Sequence, residues 1–299
     1  MAKSEKTGHH GGLVPGHIIF PLITAFLYAV ASIFLKRALE EGTGAWRVTF
    51  VCNMVMAVGY QACWALRTGP LGTSGAMHAA LAGCTFFVGQ VFTFLALSRG
   101  DVSVATPILG TKVIWVAGLA VLLLQKTISP HIWLAVFLTA AGTAILGIQP
   151  GMHPTRLALS IGAAVASAGA FGLTDVLTQK YAPACGFGNF VPVMFIVVGL
   201  LSFGFIPFFK GSGWAPGWLG AGAGLLAAQA LGMVYVITFF GHVTTVNIVY
   251  NSRGLWSIAI VWLFGHWFGN REREKGTRTM LLRLSGASLL VTAIFLASS

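Results

Sequence analysis

Long, nearly uncharged apolar runs follow one another along almost the whole chain. Ten of them reach the length of about 20 residues that an α-helix needs to cross a lipid bilayer. They lie at 17–36, 46–66, 77–98, 102–124, 131–149, 157–179, 188–209, 217–240, 243–268 and 279–297. The runs lack the period-two alternation of membrane β-strands, so the backbone must satisfy its hydrogen bonds within helices. The sequence therefore predicts an all-α membrane protein with ten transmembrane helices.

Composition and motifs exclude the soluble classes of protein. Only 8% of the 299 residues are charged, whereas roughly 25% of an ordinary soluble domain is charged. The net charge of +11 comes from basic residues scattered between the apolar runs, where they flank membrane spans, so we expect no nucleic-acid partner. The sequence has no nucleophile–base motif and no Cys/His set with metal-ligand spacing, so we expect neither an enzyme nor a metal or other cofactor.

Two segments 141 residues apart share one pattern. Residues 100–115 (GDVSVATPILGTKVIW) and 241–256 (GHVTTVNIVYNSRGLW) align Gly, Val, Ser/Thr, a basic residue and Trp. A shift of 144 superimposes Lys36 on Lys180, and a shift of 149 superimposes residues 143–146 on 292–295. Shifts that differ by only a few residues between segments are typical of two diverged copies of a five-span unit.

An odd number of spans in each copy fixes the geometry of the pair. The second copy must enter the membrane from the opposite side, so the halves are predicted to be inverted repeats at 17–149 and 157–297, after a flexible N-terminal tail at 1–16. Inverted repeats are a recurrent architecture of secondary transporters, with the substrate bound near the midplane between the halves. The expected partners are the lipid bilayer and a small-molecule substrate, and a homodimer is left open.

The five-plus-five layout resembles the drug/metabolite transporter superfamily, specifically its EamA-like members. The G-x-V-[ST] entries to the fourth and ninth spans are similar to their pattern, as are the Gly/Ala-rich ends of the fifth and tenth spans. The resemblance covers the chain from about His17 and implies two EamA-like repeats with both termini in the cytoplasm. Such proteins often carry an acidic residue closing the fourth span, whereas Gln125 and Lys126 stand there in this chain.

Charge distribution gives a different orientation in the membrane. Leaving out Lys112 and Arg253, eleven basic residues flank one side and five flank the other. The positive-inside rule would then place both termini outside the cytoplasm, so both orientations stay open. The expected location is a bacterial inner (plasma) membrane.

Two basic residues, Lys112 and Arg253, lie at matching places inside the fourth and ninth spans. A basic residue at a helix centre costs roughly 2.5–3.5 kcal/mol in the membrane, so each should face a cavity, a partner or a ligand. Of the seven acidic residues only Asp175 falls within a predicted span. Asp175 could pair with one of the two cations, carry a proton, or lie at the interface. The surplus positive charge favours an anionic substrate group, and the alternative is that both cations bond backbone carbonyls of broken helices.

Uncharged polar residues in the spans extend this candidate site. Asn247 and Asn251 share a helix face four residues apart, with Tyr250 close by. The weaker candidates are Gln90, Gln229 and Tyr28. Pro107 predicts a break in the fourth span, and the aligned residue is Ile248, so the other half need not break.

The sequence therefore predicts a secondary active transporter of a small organic metabolite, with an anionic group, that works by alternating access. The alternatives are an exporter of hydrophobic or lipid-linked compounds and, with less support, a non-transport membrane subunit.

Overall fold

The computed structural model describes residues 16–99, 108–146, 154–209, 213–264 and 277–298. Within these ranges the regular secondary structure is helical, which confirms the predicted all-α membrane protein. The helices are α1 (Gly16–Glu40), α2 (Ala45–Gly59), α3 (Thr73–Arg99), α4 (Lys112–Leu124), α5 (Pro130–Leu146), α6 (Pro154–Cys185), α7 (Phe187–Ser202), α8 (Pro216–Phe240), α9 (Val243–Tyr250), α10 (Arg253–Phe264) and α11 (Thr277–Ser298).

Six of the ten predicted spans coincide with helices that are long and apolar enough to cross a membrane. These are Gly16–Glu40, Ala45–Leu66, Thr73–Thr93, Ala158–Cys185, Phe187–Phe208 and Pro216–Phe240. Shorter apolar helices occupy the fourth, fifth and tenth positions: Ile108–Leu124, Pro130–Leu146 and Leu284–Ser298. The ninth predicted span, 243–268, contains two helices, α9 and α10, and its last four residues lie outside the described ranges. The count of ten crossing helices stays a prediction.

Large apolar side chains cover the outside of the protein, and small ones lie between the helices. Leu200 and Phe295 are 64% and 71% exposed, whereas Ala79, Ala164 and Ala293 are fully buried. This distribution is expected in a bilayer, because lipid tails solvate large apolar groups and small residues allow helices to approach closely.

The pair α5–α11 shows how close this approach is. A Cβ atom placed on Gly286 would lie 2.8 Å from the carbonyl oxygen of Gly142, and one placed on Gly142 would lie 2.9 Å from the carbonyl oxygen of Gly286. Both distances are shorter than van der Waals contact. The two backbones can therefore touch only because both positions are glycine.

Helix contacts occur in matching pairs. Helix α3 packs along α6 and α1 packs along α8, so the third span of each predicted half contacts the first span of the other. The second and seventh spans each end in a 3₁₀ helix, Tyr60–Leu66 and Phe203–Phe208. These pairings are the ones expected of related halves, and the repeats at 17–149 and 157–297 stay a prediction. Residues 1–15 of the predicted tail lie outside the described ranges, and Gly16 begins α1.

Two apolar clusters support the helices that carry the site. The larger is formed mainly by α2, α3, α7 and α8. The second joins α1, α4, α6, α8 and α9 and includes Tyr250, Val116 and Val176. Helices α4 and α6, which carry Lys112 and Asp175, are thus fixed against each other by packing.

Candidate substrate-binding site

Two breaks in helical hydrogen bonding position the intramembrane cations. Thr111 and Ser252 each donate the backbone N–H to the carbonyl three residues back, over 3.0 Å, instead of four residues back as in a regular α-helix. In each case the next residue begins a helix, so α4 starts with Lys112 and α10 starts with Arg253. Thr111 and Ser252 are 141 residues apart, the shift that relates the two sequence motifs.

The ninth span breaks although it has no proline at the aligned position. Sequence reasoning did not require a break there, because Ile248 stands where the other half has Pro107. Ile248 lies inside α9, and the break follows at Asn251 and Ser252. Pro107 itself lies outside the described residues. The break in this half therefore depends on tertiary contacts and not on a residue that disrupts the helix.

The side-chain amide of Asn251 joins the two breaks. Its Nδ2 donates to the backbone carbonyl of Gly110 over 3.1 Å, and the residue is buried. In a regular helix that carbonyl would accept from Ile114, but Ile114 donates to the Thr111 carbonyl instead. An unsatisfied buried carbonyl costs about 1–3 kcal/mol, so Asn251 stabilises the break. Gly110 leaves no room for a Cβ atom, which would collide with Thr143 of α5.

Lys112 forms an ion pair with Asp175. Its Nζ lies 2.8 Å from Asp175 Oδ2, and the two side chains are only 12% and 16% exposed. The Nδ2 of Asn247 donates to the same carboxylate oxygen over 2.9 Å. The sequence left open whether Asp175 pairs with a cation or lies at the interface, and in the structure it lies beside Lys112. One oxygen of Asp175 thus accepts hydrogen bonds from the ammonium group of Lys112 on α4 and from the amide of Asn247 on α9.

Arg253 lies between two tyrosine rings. Its Cζ is 4.8 Å from the centroid of Tyr28 and 4.9 Å from that of Tyr250, and Nη1 donates to Tyr250 Oη over 3.4 Å. Lys112 Nζ is 5.4 Å from the same Tyr250 ring, so both cations share one aromatic partner. A cation within about 6 Å of a ring centroid is attracted to the ring face. In the described part of the chain, no carboxylate lies within 4 Å of Arg253.

These side chains carry an uneven charge. Lys112 and Arg253 contribute two positive charges, and among the described residues Asp175, paired with Lys112, is the one carboxylate within 4 Å of either cation. The described partners of the Arg253 guanidinium are two aromatic rings and a hydroxyl group. Such a site has the chemistry to accept an anionic group, which would balance the remaining charge.

The structure brings most of the predicted site residues together. Asn251 bonds the backbone carbonyl of Gly110, and the side chains linked by the contacts above are Tyr28, Lys112, Asp175, Asn247, Tyr250 and Arg253. None of the described hydrogen bonds joins Gln90 or Gln229 to them. Gln90 exchanges two hydrogen bonds of 2.8 Å with Asn53, which also donates to Ser202 over 2.7 Å. Gln229 is buried in α8. The Gln90 amide is therefore satisfied by α2, a role that its position in the sequence did not reveal.

Gln179, which sequence reasoning did not select, lies one helical turn from Asp175. Its Oε1 accepts the backbone N–H of Val243, over 2.6 Å, at the start of α9. It also lines a pocket of about 400 Å³ together with Lys126 and Lys180. The signal that could have found Gln179 is its spacing of four residues from an intramembrane acid, which places both on one helix face.

Comparison with known proteins bears on the fold and the class. Residues 15–148 match the model of the EamA-like transporter family. No curated protein matches the chain. One solved structure, described as "Crystal structure of protein", superimposes with a TM-score of 0.75 over 95% of this chain and 99% of its own, at 15% sequence identity. At that identity the likeness shows the fold alone.

The apolar crossing helices and the family match define an integral membrane protein that transports small molecules. The match of residues 15–148 to the EamA-like transporter family, a family of the drug/metabolite transporter superfamily, confirms the resemblance seen in the sequence.

Proposed function

We propose that the protein is a secondary active transporter of a small organic metabolite whose anionic group, a carboxylate or a phosphate, binds between Lys112 and Arg253. The carrier works by alternating access, as one set of helices moves against the other around this site. Its location is the inner (plasma) membrane of a bacterium, where helical transport proteins are found and outer-membrane barrels are not.

The observation that carries the proposal is that Arg253 contacts aromatic rings and has no carboxylate partner among the described residues. Its guanidinium contacts the rings of Tyr28 and Tyr250, and no carboxylate lies within 4 Å among the described residues. An arginine at the centre of a span costs roughly 2.5–3.5 kcal/mol. A cation–π contact returns roughly 0.5–2 kcal/mol. The guanidinium fork fits a carboxylate or phosphate through two parallel hydrogen bonds, so such a group on the substrate would supply the missing partner.

The two tyrosine rings give the site a second property. Their centroids are 6.1 Å apart and the rings are nearly perpendicular, so Tyr28 and Tyr250 form a corner around the guanidinium. Arg253 therefore cannot change its orientation without losing contact with one ring. This holds the cation ready for an anion and lowers the entropy lost when the anion binds.

The test begins with ligand identification. Purified protein in detergent is screened by thermal unfolding against mono- and dicarboxylates, phosphate esters, and neutral and cationic amphiphiles, because a specific ligand raises the unfolding temperature. Ligands that stabilise the protein are then assayed by counterflow in proteoliposomes. We expect anions to stabilise and exchange. Stabilisation by amphiphiles regardless of their charge would overturn the proposal and favour the exporter of hydrophobic compounds.

A matched pair of variants tests the role of Arg253. Arg253→Gln should reduce anion counterflow at least tenfold. Arg47→Gln is the control. Like Arg253, Arg47 donates one hydrogen bond of 3.4 Å, here to the Gly213 carbonyl, and lies over an aromatic ring (Phe209, 5.6 Å), but it belongs to α2. Equal activity of the two variants would remove Arg253 from the site.

A further inference from the structure

We infer that Asp175 is the proton-binding group of this carrier, and that protonation of Asp175 and binding of the anion at Lys112 and Arg253 favour each other. The inference rests on the proposed function and adds to it the coupled ion and the sign of coupling. The proton and the anion therefore bind together and cross the membrane in the same direction.

Competition for Lys112 is the first argument. Asp175 Oδ2 lies 2.8 Å from Lys112 Nζ, so the ionised carboxylate occupies the cation that the substrate would use. A substrate anion entering beside it also meets a like charge in a site with little exposure to water, where repulsion is poorly screened. Protonation of Asp175 removes both obstacles. By thermodynamic reciprocity, a bound anion then increases the affinity of Asp175 for a proton.

The second argument comes from an unpaired atom in Asn247. This residue is 1% exposed, and its Oδ1 has no hydrogen-bond partner among the described residues. An ionised carboxylate only accepts hydrogen bonds, whereas a protonated one also donates. Asn247 already contacts Asp175 through Nδ2. Of the two forms of Asp175, only the protonated one has an O–H group that can donate to the buried amide oxygen of Asn247.

Access for the proton is the third argument. Oδ2 of Asp175 accepts both described bonds, and Oδ1 accepts none from the described residues. The side chain keeps 16% of its surface exposed. One helical turn away on α6, Gln179 lines the pocket of about 400 Å³ whose rim includes the exposed Lys180. Water in this pocket would bring protons to within one helical turn of Asp175.

Among the described residues, the surroundings of Asp175 contain no second acid that could take this role. The charged or titratable groups that face it are Lys112 of α4, Tyr250 of α9 and Arg253 of α10. Farther along, His78 of α3 stacks on Tyr181 with 3.7 Å between ring centroids, and His242, just before α9, lies against His17. Helices α7 and α8 contain no charged residue. The other carboxylates in the described ranges, Glu40 and Glu41, end or follow α1.

The experiment measures protons and anion together. An anion found in the screen is bound to wild-type protein across pH 5–8, and proton movement is recorded with a pH dye inside proteoliposomes. Wild-type affinity should rise as pH falls, by up to about tenfold per pH unit for one coupled proton, and internal pH should fall during anion uptake. Asp175→Asn should bind the anion with an affinity independent of pH and move no protons. Glu40→Gln, an exposed acid paired with Lys36 and Arg37, should behave as wild type.

The outcomes separate this inference from the proposed function. If no anion binds wild-type protein at any pH, the proposed function fails. If an anion binds and exchanges but wild-type protein takes up no proton with it, the inference alone fails. Proton movement in Asp175→Asn would likewise overturn it. Because wild-type proton uptake needs no variant, the inference stays testable even if Asp175→Asn does not fold.

Discussion

Asn251 donates its side-chain amide to the backbone carbonyl of Gly110 over 3.1 Å, and the two residues are 141 positions apart. The same shift relates Thr111 to Ser252 and Lys112 to Arg253. The bond therefore joins corresponding positions of the two motifs. If the halves are related by a pseudo-two-fold axis, residues that correspond and touch lie beside that axis, where relative movement of the halves is smallest. We expect this contact to persist while the carrier changes conformation.

Removing the amide should destabilise the fold. Asn251→Ala leaves the Gly110 carbonyl buried without its donor, which should cost about 1–3 kcal/mol. The measurement is thermal unfolding of purified protein in detergent. Ser288→Ala serves as control, because the Ser288 hydroxyl donates to the carbonyl of Leu284 on an exposed face of its own helix. Equal unfolding temperatures for the two variants would show that the bond between the breaks does not stabilise the protein.

The ring of Tyr250, more than its hydroxyl group, should matter for anion binding. Tyr250→Phe keeps the face that contacts Arg253 and Lys112 and loses only the 3.4 Å hydrogen bond. Tyr250→Leu removes the face as well. We expect near wild-type affinity for the first and a loss of roughly 2- to 30-fold for the second, the equivalent of one cation–π contact. Titration calorimetry with the anion measures both, and equal losses would assign the effect to the hydroxyl group.

Glycine should be required where α5 and α11 touch. Gly286→Leu places a side chain within 2.9 Å of Leu146 and of the Gly142 backbone, so the helices must separate. Overpacking of this kind typically costs about 1–3 kcal/mol. Gly224→Leu is the matched control, because nothing lies within 4 Å of a Cβ atom at Gly224. Thermal unfolding should distinguish the two, and similar stability would mean that α5 and α11 are not in close contact.

Two lysines beside the pocket should attract the substrate. Lys126 and Lys180 line it together with Gln179. Replacing both with Gln should raise KM for the anion roughly twofold to fivefold at low salt, and the difference should shrink at high salt because ions screen exposed charges. Lys36→Gln provides a control at another exposed lysine, which lies 3.9 Å from Glu40. A KM unchanged at low salt would argue against entry through this pocket.

Much of the fold could be predicted because a helix that crosses a membrane needs a long apolar run, and such runs are visible in the local composition of the sequence. The six long crossing helices follow directly from their length. The break at Ser252 could not be predicted, because neither Ser252 nor Asn251 disrupts a helix as proline does. Its neighbour Asn251 bonds Gly110, a residue of the other predicted half, and this contact forms only when the chain folds.

The residues of the candidate site also differ in how well the sequence predicts their partners. The charge count predicted that Lys112 and Arg253 would share at most one carboxylate, because charged residues in a span are few. Amides are less informative, since the polarity of Gln90 says nothing about whether its partner is a ligand or another helix. In the structure that partner is Asn53. Sequence alone thus indicates which groups need a partner, and tertiary packing decides which partner each one finds.

The unbalanced charge of the site has an electrical consequence. With Asp175 ionised, Lys112 and Arg253 leave one net positive charge within the bilayer. A unit charge that crosses the full membrane potential changes in energy by about 2.3 kcal/mol per 100 mV. Binding one proton and one monoanion together leaves this net charge unchanged, so the empty and the loaded carrier would respond alike to the membrane potential, and the complete cycle would move no net charge.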